Sequence, residues 1–409
     1  MSGGRHALIC GGSIGGLFAA AALRARGWSV EVLERTEVPL AGRGAGIVTH
    51  PELVAALEAV GADTADLGVD VFERVAYDLE GARVHAIDFH QVVTSWDRMY
   101  RVLRAILTDA EYRLGVNVVG YDDSGARPAA RLADGGRVEA DLVVGADGFR
   151  SAIRGQMLPE VRPEYSGYVV WRTVAAEADL PADVHADIGQ TFGFFIPNGT
   201  EIIGYPIAGP DNDLAPGRRR YNFVWYAEVP QAGLDDMLTD ATGRRHELSI
   251  PPPLVRDDLI EKAMDDARRQ LPRPFVDLLK VSERPFFTPI YDHHSPVMAE
   301  GRVALSGDAA CVARPHVGMG VTKAAEDALA LARHLDAAPL SEALSAYSAE
   351  RVAACRIAYE RSQWLGRFIF EGDRSVNQDG RSHPHWHTVM RETAVVPPPG
   401  GGPQALSSS

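Results

Sequence analysis

The chain has 409 residues, with 41 basic and 55 acidic side chains and a net charge of −14. That acidic balance, with no basic face, excludes an ordinary nucleic-acid binder. A composition of 46% hydrophobic and 23% charged residues excludes a chain that is disordered throughout.

At roughly 100–200 residues per domain, the length suits two or three domains or one large composite unit. Cys10, Cys311 and Cys355 are scattered and form neither a disulfide framework nor a zinc pattern. With no leader pattern and no run of about 18 apolar residues, a cytoplasmic protein without a membrane span is expected. No internal repeat is present.

His6 to Cys10 is a short apolar run, punctuated by Gly11-Gly12-Ser13-Ile14-Gly15-Gly16. Ile14, Leu17, Phe18, Ala21, Ala22 and Ala25 then recur at helical spacing. Gly27 stops that helix, and Trp28 to Leu33 reads as the next strand. A loop with Pro39, Gly42, Gly44 and Gly46 follows. Arg98 to Ala110 is predicted to be helical, with Met99, Val102, Leu103 and Ile106 on one face. Arg131 to Leu142 reads as a hairpin around Asp134-Gly135-Gly136. The wholly apolar Leu142-Val143-Val144 suits a strand covered on both faces.

From about Ser166 to Pro230 aromatic and β-branched residues predominate, and strands are predicted at Gly167–Val174, Thr191–Ile196, Glu201–Ile207 and Tyr221–Val229. Alternation puts Asn222, Val224 and Tyr226 on one face without saying which face looks inward. Helices are predicted over Leu254–Leu279, Thr322–Leu335 and Ser341–Phe370, with a strand at Arg302–Leu305. The fold class is therefore α/β: a Rossmann-like nucleotide-binding domain with an inserted antiparallel sheet and a long C-terminal helix. The expected division is 1–165, 166–290 and 291–370, with 371–409 a largely irregular tail and Val395 to Ser409 disordered.

Three motifs carry chemistry. In Gly11-x-Ser13-x-x-Gly16, Gly11 permits a tight turn and Gly16 lets helix pack on strand. The helix start, with Ile14 and Gly15, offers unpaired N–H groups to a pyrophosphate. Glu34 closes the second strand, where an acid suits a ribose hydroxyl. The second motif is Gly145-Ala146-Asp147-Gly148, after an apolar strand; alone it is a turn signal. The third is Gly307-Asp308-Ala309-Ala310, followed by Pro315, Gly318 and Gly320 and a helix. Asp308 there reads either as a partner of sugar hydroxyls or as a helix cap.

In this order and at these distances, the motifs resemble those of the group A flavoprotein monooxygenases, the para-hydroxybenzoate hydroxylase class. The similarity runs from about residue 6 to 365 and is closest to the dihydroxypyridine hydroxylase branch. Gly-Gly-Ser-Ile at 11–14, Gly-Ile-Val-x-x-Pro-Glu-Leu at 46–53, Tyr-x-Gly-Tyr-Val-x-Trp-Arg at 165–172 and Arg-Pro-His at 314–316 carry that closer match. The resemblance implies non-covalent FAD. Its ADP half would lie on Gly11 to Gly16 and Glu34, with Arg35 beside the adenosine and Arg43 near the pyrophosphate. The Gly44–Val48 loop, including Gly46, would run along the flavin, Asp308 would bind the ribityl–pyrophosphate region, and Pro315 to Thr322 would lie at the isoalloxazine. Asp147 would serve flavin and nicotinamide binding.

The chain departs from the class at Cys311 (often His), Met319 (often Gln), Thr322 (often Asn) and Trp96 (usually Arg). Arg98, Arg101 and Arg104 are candidates to replace that arginine.

No second dinucleotide fingerprint appears, as in a class where NADH or NADPH has no domain of its own. The implied reaction is hydroxylation, through a C4a-hydroperoxide and O2, of an electron-rich hydroxypyridine- or phenol-like substrate. A base near the ring is expected, and histidine suits by its pKa. His316 and His50 are the catalytic candidates. Tyr205, Asn222, Pro315 and His316 are the substrate-binding candidates. Trp171, Phe194, Trp225 and Phe287 read as packing.

Alternatives are a flavin-dependent epoxidase, Baeyer–Villiger or N-hydroxylating enzyme of a biosynthetic pathway, or a non-catalytic FAD- or ligand-binding protein. The long terminal helix would allow a homodimer. His383-Pro-His-Trp-His reads as a polar loop rather than a metal site, because Pro384 breaks regular spacing.

Overall fold

The computed structural model describes residues 5–42, 46–197, 199–370 and 385–396. Two sheets organise it. The first has six strands in the order Ala299–Glu300, Val303–Leu305, Leu142–Gly145, His6–Cys10, Ser29–Leu33 and Tyr112–Arg113. All neighbours are parallel except the outermost short pair, Ala299–Glu300 with Val303–Leu305. Ala7 to Cys10, Leu142 to Val144 and Val303 to Leu305 are completely or almost completely buried. That burial explains why these strands are apolar runs rather than alternating ones. The helices Ile14–Ala25 and Gly320–Ala337 pack against each other on this layer, with the missing Cβ of Gly15 3.5 Å from the Ala324 methyl.

The second sheet has nine strands. Their order is Cys311–Val312, Phe286–His294, Glu164–Ala176, Arg220–Glu228, Thr200–Ile207, Phe192–Phe195, Val69–Tyr77, Arg83–Ser95 and Gly46–Val48. Alternation divides its side chains between two cores. Val169, Trp171, Phe223, Trp225 and Phe287 meet the helices Ala182–Ile188, Gln231–Met237, Asp257–Gln270 and Arg273–Val281. Tyr168, Val170, Phe194, Ile203, Tyr205, Val224 and Tyr226 face the other way, towards Leu365 and Ile369 of Leu340–Phe370 and Val389 and Met390 of His385–Glu392. Trp171, Trp225 and Phe287 therefore pack on the far side, whereas Phe194 shares the face of Asn222.

The middle strands, the first helix and the long terminal helix occur where the sequence places them, with ends displaced by a few residues. Several expectations are corrected. The helix expected over Leu254–Leu279 is two helices, Asp257–Gln270 and Arg273–Val281. Pro272 holds Leu271 extended (ψ 149°), so the first helix stops there. The helix expected at Arg98–Ala110 is Trp96–Arg104, started by Ser95 Oγ, which accepts from the Arg98 N–H. The expected hairpin is the Ala129–Leu132 and Arg137–Glu139 part of a three-stranded sheet completed by Val118–Asp122.

Val69–Tyr77, Arg83–Ser95 and Gly46–Val48 lie before residue 165 yet join the sheet expected from 166–290, so that sheet is not confined to one chain segment. Within the tail expected to be largely irregular, His385–Glu392 is helical. Residues 397–409, and His383 of the histidine tract, lie outside the described residues. Among the described residues no helix is long and apolar enough to cross a membrane.

Gly16 is the tightest point of the first layer, since a Cβ there would sit 1.8 Å from the Gly11 carbonyl oxygen. Neither backbone can move without unseating helix from strand. Gly16→Ala is therefore expected to destabilise the protein by about 2–4 kcal/mol, more than a typical substitution. Urea unfolding would show it, and a change below about 0.5 kcal/mol would contradict this packing.

Candidate active site

A cleft of about 670 Å³ opens at the carboxyl ends of the parallel strands, where ligands of open α/β sheets bind. Gly11, Ser13, Glu34, Arg35 and Asp147 all line it, joined by Trp96 and Val116 to Val119. Ser13 starts the first helix, but its side chain makes no capping bond, and the first turn contains no acid. The helix start thus keeps N–H groups and positive potential for an anion. Ile14 is buried, and Gly15 and Gly16 are packing positions, so these three shape the cleft without lining it.

The Glu34 carboxylate is set in place by the Gly12 N–H (2.8 Å) and the Thr36 N–H (2.9 Å). Asp147 is committed to a helix start: Oδ1 accepts from Ser151 Oγ (2.5 Å) and Oδ2 from the Ala152 N–H (2.7 Å). Arg154 ties the second and third motifs together. It donates to Phe149 O (2.9 Å), Ala309 O (3.1 Å) and His293 Nε2 (3.0 Å).

Asp308 has a half-exposed side chain and lies 4.0 Å from the Lys323 ammonium. Beneath it, Asp327 accepts from the Gly307 N–H (2.9 Å) and from Arg351 Nε (2.7 Å), fixing the turn that carries Asp308. Pro315 opens a short 3₁₀ turn that ends at Gly318 in the left-handed region (φ 64°). Met319 turns its side chain into a small core with Val317 and Ala358. Gly320 begins the next helix with open space where a Cβ would be, and no side chain caps that helix. Arg43 and Gly44 lie outside the described residues.

Gly46 joins this layer to the nine-stranded sheet. Its N–H donates to Asn222 Oδ1 (3.2 Å), and a Cβ on it would lie 2.4 Å from the Tyr205 ring. Tyr205 and Asn222 are direct cross-strand partners, both buried. Glu201 and Tyr226 form another such pair further along the same face. Asn222 Nδ2 and Glu201 Oε1 are buried polar atoms with no partner among the described residues.

The two candidate histidines have different surroundings. His50 Nε2 is 3.1 Å from Ala394 O, and a carbonyl only accepts, so Nε2 carries the proton. Nδ1 then accepts from Thr322 Oγ1 at 2.8 Å. Burial lowers the pKa of His50 and keeps it neutral. His316 is fully buried. Its Nδ1 lies 3.1 Å from Glu201 Oε2 and its Nε2 2.9 Å from the Tyr168 hydroxyl, and its ring stacks on Tyr226.

Sequence reading missed Glu201, Tyr168, Arg154 and the whole segment 385–396. Period-two alternation from Tyr205 back through Ile203 would have put Glu201 on the right face. No local signal marks Arg154 or the tail.

Residues 165–292 match a family model described as FAD binding domain-like, and residues 282–362 match an FAD binding domain. The chain is 35% identical over 331 residues to 2,6-dihydroxypyridine 3-monooxygenase of Paenarthrobacter nicotinovorans, covering 79% of this chain and 81% of that protein. It is 31% identical over 371 residues to aurachin C monooxygenase/isomerase of Stigmatella aurantiaca, covering 86% of each. The solved 2,6-dihydroxypyridine-3-hydroxylase from Arthrobacter nicotinovorans superposes with a TM-score of 0.84 at 30% identity, covering 91% of this chain and 95% of that one.

Burial, with Arg154 and Lys323 nearby, pushes His293 down to about 3. The unfolded chain therefore takes up a proton near pH 6.5 that the folded protein refuses. This contribution is complete above about pH 6.5 and is lost as pH falls towards 3, with a slope of up to about 1.4 kcal/mol per pH unit. His50 adds to it in the same direction. Urea unfolding between pH 7 and 4 is expected to show a shallower pH slope in His293→Gln, and an unchanged slope would contradict the assignment.

Proposed function

We propose that this chain, which belongs to the FAD-dependent aromatic monooxygenase family, hydroxylates an electron-rich hydroxypyridine- or phenol-like ring with NADH or NADPH and O2. What carries this reading is that the strand Gly46–Val48 bridges the two halves: Ile47 packs on the core beneath the nucleotide cleft, and Gly46 meets Asn222 on a sheet face whose buried polar atoms include some with no partner among the described residues.

The residues present fit FAD. Two helix starts without side-chain caps, at Ser13 and Gly320, suit its phosphates and the polar edge of its ring. Glu34, already oriented by two backbone N–H groups, retains lone pairs for ribose hydroxyls. Arg35 lines the same cleft, and we assign the half-exposed Asp308, outside that lining, to the ribityl–pyrophosphate region. Asp147 serves through the loop it stabilises, and Gly318 and Met319 contribute backbone. Held by these residues, FAD would supply the redox chemistry that links nicotinamide oxidation to O2, one oxygen atom going to the substrate and the other to water.

The protein's part is to bind, orient and deprotonate. Asn222 Nδ2 is a donor for a ring oxygen or nitrogen, and Tyr205 and Pro315 bound the ring. His316 is the base we favour. Glu201 accepts the Nδ1 proton, which leaves Nε2 to take a proton through the Tyr168 hydroxyl. Losing its hydroxyl proton makes the substrate ring electron-rich. His50, with a carbonyl rather than a carboxylate behind its protonated nitrogen, is a positioning residue that holds Thr322 rather than a base.

Two results are expected. Asp308→Ala should weaken FAD binding by about 5- to 150-fold, the equivalent of roughly 1–3 kcal/mol. Unchanged affinity, measured by flavin fluorescence, would remove Asp308 from the site. In anaerobic stopped flow, 2,6-dihydroxypyridine should greatly accelerate flavin reduction by NADH or NADPH. Bound flavin whose reduction no hydroxypyridine or phenol accelerates would refute the aromatic assignment.

A further inference from the structure

Arg74 has no role in the mechanism above, yet it is wholly buried on Val69–Tyr77. No ion pair is found for it among the described residues, and burial pushes its pKa down to about 9. Its guanidinium donates instead to Met390 O (2.5 Å), Thr393 O (2.8 Å) and Gln91 Oε1 (2.7 Å), and lies over the Phe89 ring. The two carbonyls belong to the end of the helix His385–Glu392 and the residue after it, where acceptors are orphaned and the potential is negative.

The same segment is held at further points. Gln91 Nε2 donates to Ala394 O (3.2 Å), as does His50 Nε2. The Ala394 N–H donates to His316 O (2.9 Å), and Arg361 pairs with Glu392. Ala394 has φ 53°, a conformation an alanine keeps only when its surroundings impose it. Val389, Met390 and Ala394 share a buried cluster with Tyr168, Tyr205 and Tyr226.

We propose that Arg74 is a positioning residue that latches residues 389–394 over the candidate substrate site, so that this segment is the wall excluding water during hydroxylation. This rests on the functional reading above. With the wall seated, RH + NAD(P)H + H⁺ + O2 gives ROH + NAD(P)⁺ + H2O. With it displaced, NAD(P)H + H⁺ + O2 gives NAD(P)⁺ + H2O2, and the substrate is untouched.

The FAD-loaded enzyme would be compared with Arg74→Ala, Arg74→Lys and Ala394→Pro. The last removes the N–H to His316 O and forbids the left-handed φ. With 2,6-dihydroxypyridine, Arg74→Ala and Ala394→Pro should keep their FAD and oxidise NAD(P)H. They should show a KM raised by about tenfold and most of the electrons released as H2O2. Arg74→Lys should restore part of the coupling. In parallel, trypsin cleavage at the exposed Arg391 should be faster by about tenfold or more in Arg74→Ala, because local opening governs the rate. Wild-type KM and coupling in both disrupting variants, or wild-type resistance at Arg391, would overturn the proposal. If the wild type itself does not couple oxidation to any aromatic ring, the functional reading fails instead, and the Arg391 cleavage rates still decide whether Arg74 is the latch.

Discussion

Three contacts that admit no side chain set the spacing of everything else. Gly11 passes the Ala146 carbonyl, Gly16 passes the Gly11 carbonyl, and Gly46 passes the Tyr205 ring, each at a distance where a Cβ would overlap. The first two press helix, strand and loop together so that a helix start faces an open cleft. The third lets Gly46–Val48, the edge strand of the large sheet, close over that sheet's inner face while Ile47 packs on the nucleotide layer. A cofactor lying along that crossing would have its phosphates on one layer and its reactive ring beside the other. Function in this fold follows from that shared seam, not from either sheet alone.

Buried charge is arranged around the seam in separate groups. Asp327, Arg351 and Lys323 lie under the Asp308 turn and stabilise its backbone. Arg154, beside the neutral His293, braces two motif loops through their carbonyls. Glu201, His316 and Tyr168 form one hydrogen-bonded group, the one we propose meets the substrate. Pairing or hydrogen bonding makes each burial tolerable, whereas an isolated buried charge would be costly. Arg74, like Arg154, is stabilised by carbonyl dipoles instead of a carboxylate among the described residues.

The nucleotide half was legible because its signals are local. Gly11 to Gly16, Glu34, Asp147 and Asp308 stand at strand ends within short motifs, and the fold brings Gly11, Ser13, Glu34, Arg35 and Asp147 to one cleft. The parallel strands were legible because burial on both faces leaves them uniformly apolar. The substrate half was legible only in its middle strands. Arg83–Ser95 mixes His, Asp and Gln among its apolar residues because much of it faces solvent, so no clean pattern announces a strand. His50 and His316 looked equivalent in sequence. They are separated by Glu201, Thr322 and Ala394, whose contacts span 115, 272 and 344 residues. The segment 385–396 mixes polar and apolar residues beside prolines, and only tertiary contact reveals that Val389, Met390, Thr393 and Ala394 are buried.

The most direct test of the account is the fate of labelled oxygen. The FAD-loaded enzyme would turn over 2,6-dihydroxypyridine with NADH or NADPH under ¹⁸O2, and the product would be weighed by mass spectrometry. The account predicts a hydroxylated ring carrying one ¹⁸O atom from the gas, formed in step with nicotinamide oxidation. An unlabelled product, or recovery of the unchanged ring with all the oxygen as hydrogen peroxide, would contradict it.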